Sequence, residues 1–324
     1  MEHIRPARAK QAFALAVLLP TVGLMAAGPS LASESGGGVG ADGVAKPTVV
    51  LVHGAWADAS GWSKVVESLQ AQGYPVVAAA NPLRGLAADS AYLTARLKTI
   101  KGPVVLVGHS YGGAVITNAA AGNSNVKSLV YVAGFAPDKG ESVQELVAKY
   151  PGSRLTDDPQ APVPTALNAV PFGSSPTDVD LYIKGDKFSD VFLSNRLSTS
   201  QANVLAASQR PATPLTVSEP SNAAAWKTIP SWALVSTDDR TIGTQNLRYM
   251  AKRAGSTTVE VDAPHAVLET NSDDVTELIV KAAGNPQQTA LADTGTTEIT
   301  AMLSGGAALA ITGGAVLVAR ARRT

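Results

Sequence analysis

The chain has 324 residues, 45% hydrophobic, 16% charged and 5% aromatic, with 26 basic residues balanced by 26 acidic ones. That length can bury one large core, and zero formal charge argues against a nucleic-acid or polyanion binder, which carries a basic surplus. With no Cys there are no disulfide scaffolds, thiolate metal sites or cysteine nucleophiles, and four His, at 3, 53, 109 and 265, are the only actors for histidine chemistry. The first stretch has a secretory signal layout: Arg5, Arg8 and Lys10 precede an apolar run over 12–27, followed by Ser30-Leu31-Ala32. Pro20 and Gly23 interrupt the run, which favours export with cleavage after Ala32 over a membrane anchor.

Residues 33–46, Gly-rich over 35–43, read as a flexible lead-in to a body spanning 47–284. In that body, residues 48–52 form a continuous apolar, β-branched run, as expected of a parallel strand buried on both faces. Residues 62–72 have helical spacing and stop at Gly73. Further strands are predicted at 76–80, 104–107, 126–132, 232–235 and 257–261, and helices at 87–100, 112–121, 244–254 and 273–283. Strand and helix in turn imply an α/β fold, a doubly wound, mostly parallel sheet with helices on both faces. The stretch 137–225 breaks the rhythm. It is rich in Pro, Ser and Asp with apolar clusters around Phe172, Leu181, Phe188 and Phe192, and reads as an inserted cap.

The candidate chemistry sits at three strand ends. Gly108-His109-Ser110-Tyr111-Gly112 follows one strand and opens a helix, the setting of a nucleophile elbow that lifts the Ser110 hydroxyl above the sheet edge. A serine needs a base to take its proton. His3 leaves with the signal, His109 adjoins Ser110 with its ring directed away from Oγ, and His53 braces the loop after the first strand. His265 remains, on a loop at the carboxyl edge of the sheet, where open α/β folds bind ligands. The acid that orients the imidazole is expected after the strand at 232–235, where Asp239 is the choice and Asp238 the alternative; spacing alone does not separate them, and Asp262 is a weaker third. Oxyanion donors are expected from the backbone N–H groups of Tyr111 and Ala55. His53, Trp56 and Phe172 are the candidates for touching the substrate. No phosphate loop, dinucleotide glycine pattern or metal-ligand cluster is present, so no cofactor is implied.

After the body, 285–294 reads as a polar stalk ending in Leu291-Ala292-Asp293-Thr294, then Gly295, an apolar run over 299–319, and Arg320, Arg322 and Arg323. This series resembles the Leu-Ala-x-Thr-Gly variant of the Gram-positive sortase sorting signal. The resemblance implies cutting between Thr294 and Gly295 and transfer to peptidoglycan, with a sortase as partner; a retained membrane anchor is the alternative. Removing both terminal signals leaves 20 basic and 24 acidic residues, a net charge of −4.

His53-Gly54-Ala55-Trp56, Gly108 to Gly113, Thr237-Asp238-Asp239-Arg240 and Pro264-His265-Ala266 together resemble the α/β-hydrolase superfamily, near its small esterases of the plant methylesterase and hydroxynitrile lyase group. The resemblance covers roughly 47–283, with the cap matching loosely. It implies a serine esterase acting on small to medium apolar esters and favours Asp239, the second of the acidic pair, as triad acid. The lyases carry Thr where Gly54 stands and Lys where Ala266 stands, so both positions favour ester hydrolysis over carbon–carbon cleavage. A non-catalytic wall-displayed binding protein on the same fold is the other alternative.

Overall fold

The structure, a computed structural model, describes residues 45–284. The expected signal segment, most of the lead-in, the stalk, the sorting motif and the apolar tail lie outside the described residues. Among the described residues no helix is long and apolar enough to cross a membrane.

The strands in chain order are β1 (Thr48–Val52), β2 (Val76–Ala79), β3 (Val104–His109), β4 (Val126–Val132), β5 (Leu167–Pro171), β6 (Val179–Ile183), β7 (Ser231–Ser236) and β8 (Thr257–Val261). Six of them form one parallel sheet in the order β2-β1-β3-β4-β7-β8. The interior strands β3 and β7 are buried at every residue, and β1 at all but Thr48, which is why an apolar run without polar alternation, 104–107, 232–235 and 49–52, fills each of them. The edge strand β8 alternates Thr and Glu with Val because its outer face meets water.

The helices are α1 (Ser63–Ala71), α2 (Leu86–Leu97), α3 (Tyr111–Ala119), α4 (Val143–Val147), α5 (Gly185–Leu193), α6 (Thr199–Ala207), α7 (Leu215–Ser218), α8 (Thr244–Arg253), α9 (Val267–Thr270) and α10 (Ser272–Ala283). α1 packs on α10 and α2 on α3, against the sheet. The predicted helix at 62–72 opens instead as a 3-10 turn, Ala59–Trp62, because the Asp58 side chain caps it by accepting the Ser60 N–H.

Between β4 and β7 the chain leaves the sheet and builds the antiparallel pair β5–β6 with α4 to α7. Its apolar side chains Phe188, Val191 and Phe192 are buried. The strand order turns at β1, whose neighbours β2 and β3 are reached in opposite directions, and this switch point brings the loop after β1 beside the turn after β3.

Candidate active site

Ser110 sits between β3 and α3 with φ +54° and ψ −127°. A non-glycine residue held there is strained and persists only where its surroundings fix it. Its carbonyl accepts the N–H groups of Gly113 (2.9 Å) and Phe135 (3.0 Å), and its own N–H donates to the Val132 carbonyl (3.3 Å). The flanking glycines are dictated by space. A Cβ on Gly108 would lie 2.5 Å from the Gly112 carbonyl oxygen, and one on Gly112 would lie 2.4 Å from that of Val52.

The turn presents Oγ to His265, 155 positions away, whose Nε2 accepts the Oγ–H at 2.8 Å. On the far side of the ring, Nδ1–H donates to Oδ2 of Asp239 at 2.7 Å. All three residues are buried. The other oxygen of Asp239 accepts the N–H groups of Thr241 (2.9 Å) and Ile242 (2.7 Å), so the turn after β7 grips the carboxylate. Burial on its own raises this carboxyl; the charge and hydrogen bond of His265 and the two backbone donors outweigh it and leave the pKa below the usual value.

Asp238 faces the other way. Its carboxylate accepts from Arg196 (3.1 Å) and Arg240 (3.1 Å), and Asp262 also binds Arg196 (2.7 Å). Of the three acids considered from sequence, only Asp239 meets His265.

The loop after β1 lies directly against the elbow: a Cβ on Gly54 would stand 2.5 Å from Ser110 Cβ and 3.1 Å from Oγ. Among the described residues neither the Ala55 nor the Tyr111 N–H donates to another group of the protein. Tyr111 is fixed at its other end, where its hydroxyl donates to the buried carboxylate of Asp89 at 2.7 Å. Asp89 also accepts the Arg84 N–H (3.1 Å), and burial pushes its pKa up. Sequence reasoning missed this carboxylate: an acid in the first turn of a helix has an ordinary explanation in the helix dipole.

Two expected substrate contacts are corrected. Both nitrogens of the buried His53 ring are engaged by the chain: Nε2 accepts the Asn81 N–H (3.0 Å) and Nδ1 donates to the Gly54 carbonyl (3.0 Å). His53 therefore braces the loop, the first of its two expected roles, and has no ring nitrogen left for a ligand. Phe172 lies just past β5, 57% exposed, with Arg84 over its ring at 5.6 Å. Nothing in the inserted segment folds it inward.

Trp56 does border a cavity, one of about 70 Å³, together with His109, Phe188, Phe192 and Ala266. His109 and Ala266 are the chain neighbours of Ser110 and His265. The Phe192 ring stands edge-on to the His265 ring at 5.1 Å, and its carbonyl accepts the Ala266 N–H at 3.1 Å, so α5 closes over the imidazole. Among the described residues no cluster of three or more His, Asp or Glu is placed to hold a metal ion.

Residues 49–278 match the Alpha/beta hydrolase family. A carbendazim hydrolyzing esterase of Nocardioides sp. (strain SG-4G) is 33% identical over 113 residues, 31% of this chain, and the match spans about half (47%) of that relative's length. The alpha/beta hydrolase nvfD of Aspergillus novofumigatus (strain IBT 16806) is 28% identical over 262 residues, covering 74% of this chain and 97% of the relative. Among solved structures, a pyrethroid hydrolase superposes with a TM-score of 0.58 at 21% identity over 74% of this chain and 98% of its own, a likeness of fold.

Proposed function

The chain belongs to the alpha/beta hydrolase family, and from that premise we propose that it is a serine hydrolase cleaving carboxylic esters of small apolar compounds through Ser110, His265 and Asp239. The observation that carries the reading is the unbroken relay of two short hydrogen bonds, Ser110 Oγ to His265 Nε2 and His265 Nδ1 to Asp239. In this reading His265 takes the Oγ proton as the Oγ–carbon bond forms, and Asp239 stabilises the resulting imidazolium. The negative oxygen of the tetrahedral intermediate is held by the N–H groups of Ala55 and Tyr111. Collapse breaks the ester carbon–oxygen bond, and His265 protonates the departing alcohol. Water, deprotonated by the same imidazole, then releases the acyl group as an acid and returns the proton to Ser110.

The esterase among the relatives supports this reaction class. The tightness at Gly54 supports hydrolysis over cyanohydrin cleavage, because a threonine there would crowd Ser110. The test is hydrolysis of a short aryl ester by the unaltered protein and by Ser110→Ala, with fluorophosphonate labelling of Ser110 in parallel. The unaltered protein is expected to turn over and label while the variant does neither; equal rates would sink the reading, and ligand binding with no labelling would favour a non-catalytic binding protein.

We propose too that the protein works outside the cell, attached to a Gram-positive wall. The support is the signal layout up to Ala32 and the series Leu291 to Gly295, apolar run and arginines. Cell fractionation tests it: Thr294→Ala is expected to leave the wall fraction, and a variant that stays covalently on the wall would defeat the idea.

A further inference from the structure

Both N–H groups expected to hold the oxyanion belong to peptides gripped from behind. A peptide is planar, so a held carbonyl directs the N–H across from it. The Gly54 carbonyl accepts the Nδ1–H of His53 (3.0 Å), which aims the Ala55 N–H. The Ser110 carbonyl accepts from Gly113 (2.9 Å) and Phe135 (3.0 Å), which aims the Tyr111 N–H, the first of α3. The spacing of the two donors is a separate matter, because one rides on the loop after β1 and the other on a helix.

Both carriers are tied to the same stretch, the connection from β2 into α2. At its start Asn81 donates its N–H to His53 Nε2 (3.0 Å) and its side-chain amide to the His53 carbonyl (2.9 Å). At its end Asp89, in the first turn of α2, accepts the Tyr111 hydroxyl on one oxygen (2.7 Å) and the Arg84 N–H on the other (3.1 Å). The connection is itself held by the inserted segment. Leu83 is kept at φ +61°, with its carbonyl accepting the Thr213 N–H (3.1 Å), and Glu219 accepts the Ala87 N–H (2.8 Å) at the start of α2. Asp89 and Tyr111 are both buried. Two hydrocarbon side chains would fill this place without the cost of burying a carboxyl group. What the hydrogen bond adds is direction: it fixes the far end of a long side chain whose backbone carries the donor.

We infer that Asp89 is a positioning residue of the oxyanion site: through the Tyr111 hydroxyl it ties the helix that carries the Tyr111 N–H to the connection that, at Asn81, also holds the loop of the Ala55 N–H. The inference rests on the esterase reading and deepens it. Donors fixed in advance need no rearrangement as charge develops on the carbonyl oxygen, so a slack mount weakens the transition state more than the bound ester.

The experiment uses the full-length protein, Tyr111→Phe, Asp89→Asn and the double variant Tyr111→Phe/Asp89→Leu, each normalised by fluorophosphonate titration of Ser110. With phenyl butanoate, kcat is expected to fall about tenfold in Tyr111→Phe with KM within about twofold, less than the 10²–10³-fold that loss of an oxyanion donor costs, because the N–H is shifted and not removed. The second readout is inhibition by benzyl trifluoromethyl ketone relative to benzyl methyl ketone. Ser110 Oγ adds to the fluorinated carbonyl, its proton passes to His265 and the carbonyl oxygen becomes an anion facing the two donors, so the ratio of the two inhibition constants reports the oxyanion site. The advantage of the fluorinated ketone is expected to shrink about tenfold in Tyr111→Phe and in the double variant, and to stay within about threefold of the unaltered value in Asp89→Asn, which keeps a carbonyl for the hydroxyl. Should Tyr111→Phe fail to fold with its carboxyl stranded, the double variant, in which hydroxyl and carboxyl leave together, gives the same readout. An unchanged ratio in whichever of these folds, an equal fall in Asp89→Asn, or a rise in KM in place of the fall in kcat overturns the inference while leaving ester hydrolysis standing. Failure of the unaltered protein to hydrolyse aryl esters and to take the fluorophosphonate overturns the esterase reading itself, and the inference falls with it.

Discussion

Asp238 and Asp239 leave the same strand side by side, yet one carboxylate is buried on an imidazole and the other sits 26% exposed between two guanidinium groups. The difference is invisible in spacing, because what separates them is Arg196, 42 positions upstream, and the backbone donors of Thr241 and Ile242. Asp239→Asn removes the charge that favours the imidazolium and permits the wrong tautomer, so kcat is expected to fall on the order of 10⁴-fold, whereas Asp238→Asn should cost no more than a few-fold. Comparable losses in both would dissolve the assignment. The buried histidines make a second demand, on stability. Burial lowers the pKa of both His53 and His109, the latter to about 3, so the unfolded chain takes up protons that the folded one refuses. The contribution of each is fully present above the unfolded value of about 6.5 and is lost as pH falls below it, for His109 down to about 3. Each titrating histidine is expected to remove about 1 kcal/mol of unfolding free energy per pH unit across that window. Urea unfolding at pH 7, 6 and 5 measures the slope, and His109→Gln should flatten it; an unchanged slope in that variant would show that His109 is not the group responsible.

At the scale of elements, the sheet was legible because its central strands are enclosed on both faces and so cannot hide their character in polar alternation. The elbow was legible for a steric reason: a strand can turn into a helix that sharply only where Gly108 and Gly112 let backbone meet backbone. The pair β5–β6 left no such trace. β5 has one buried residue, Leu167, followed by Asn, Ala, Val and Pro that all face water, and its pairing comes from β6 rather than from its own pattern. The same gap explains the misplacement of Phe172, an aromatic residue assigned inward in a stretch where nothing local fixes direction. Where two elements press together the consequences are testable. Gly54 belongs to the loop after β1, and a methyl group there would have to displace Ser110. Gly54→Ala is expected to lower kcat/KM about 10- to 100-fold, the equivalent of the 1–3 kcal/mol that overpacking costs, while the folded baseline survives. Kinetics and thermal melts on one preparation decide it: an Ala variant with unaltered kcat/KM would mean that the loop yields without moving the serine.

Across the whole described body, the inserted segment and the sheet are joined beside the triad by a run of ion pairs. Arg154 binds Asp190 of α5, Asp190 binds Arg240, Arg240 binds Asp238, Asp238 binds Arg196, and Arg196 binds Asp262. Arg240 and Asp238 flank Asp239, Asp262 lies three positions before His265, and Arg196 follows α5, so one network touches both loops that carry the acid and base as well as the segment that covers them. Each pair is partly exposed and on its own contributes roughly 0–1 kcal/mol. What the network supplies is register, holding α5 so that Phe192 stays edge-on to the His265 ring. Arg196→Ala cuts the run at the point where it crosses between the two loops, taking the Arg196 guanidinium from Asp262 and leaving Asp238 with Arg240 alone. The expected result is a melting temperature lower by about 2–4 °C, corresponding to about 1 kcal/mol in a domain of this size, and a modest fall in kcat/KM. Exposed ion pairs weaken as salt rises, so the unaltered protein should approach the variant's activity as ionic strength is raised to about 0.5 M, while the variant, with its link already cut, should respond less. Parallel salt responses in the two proteins would show that the arginine decorates the surface without tying the inserted segment to the loops of Asp239 and His265.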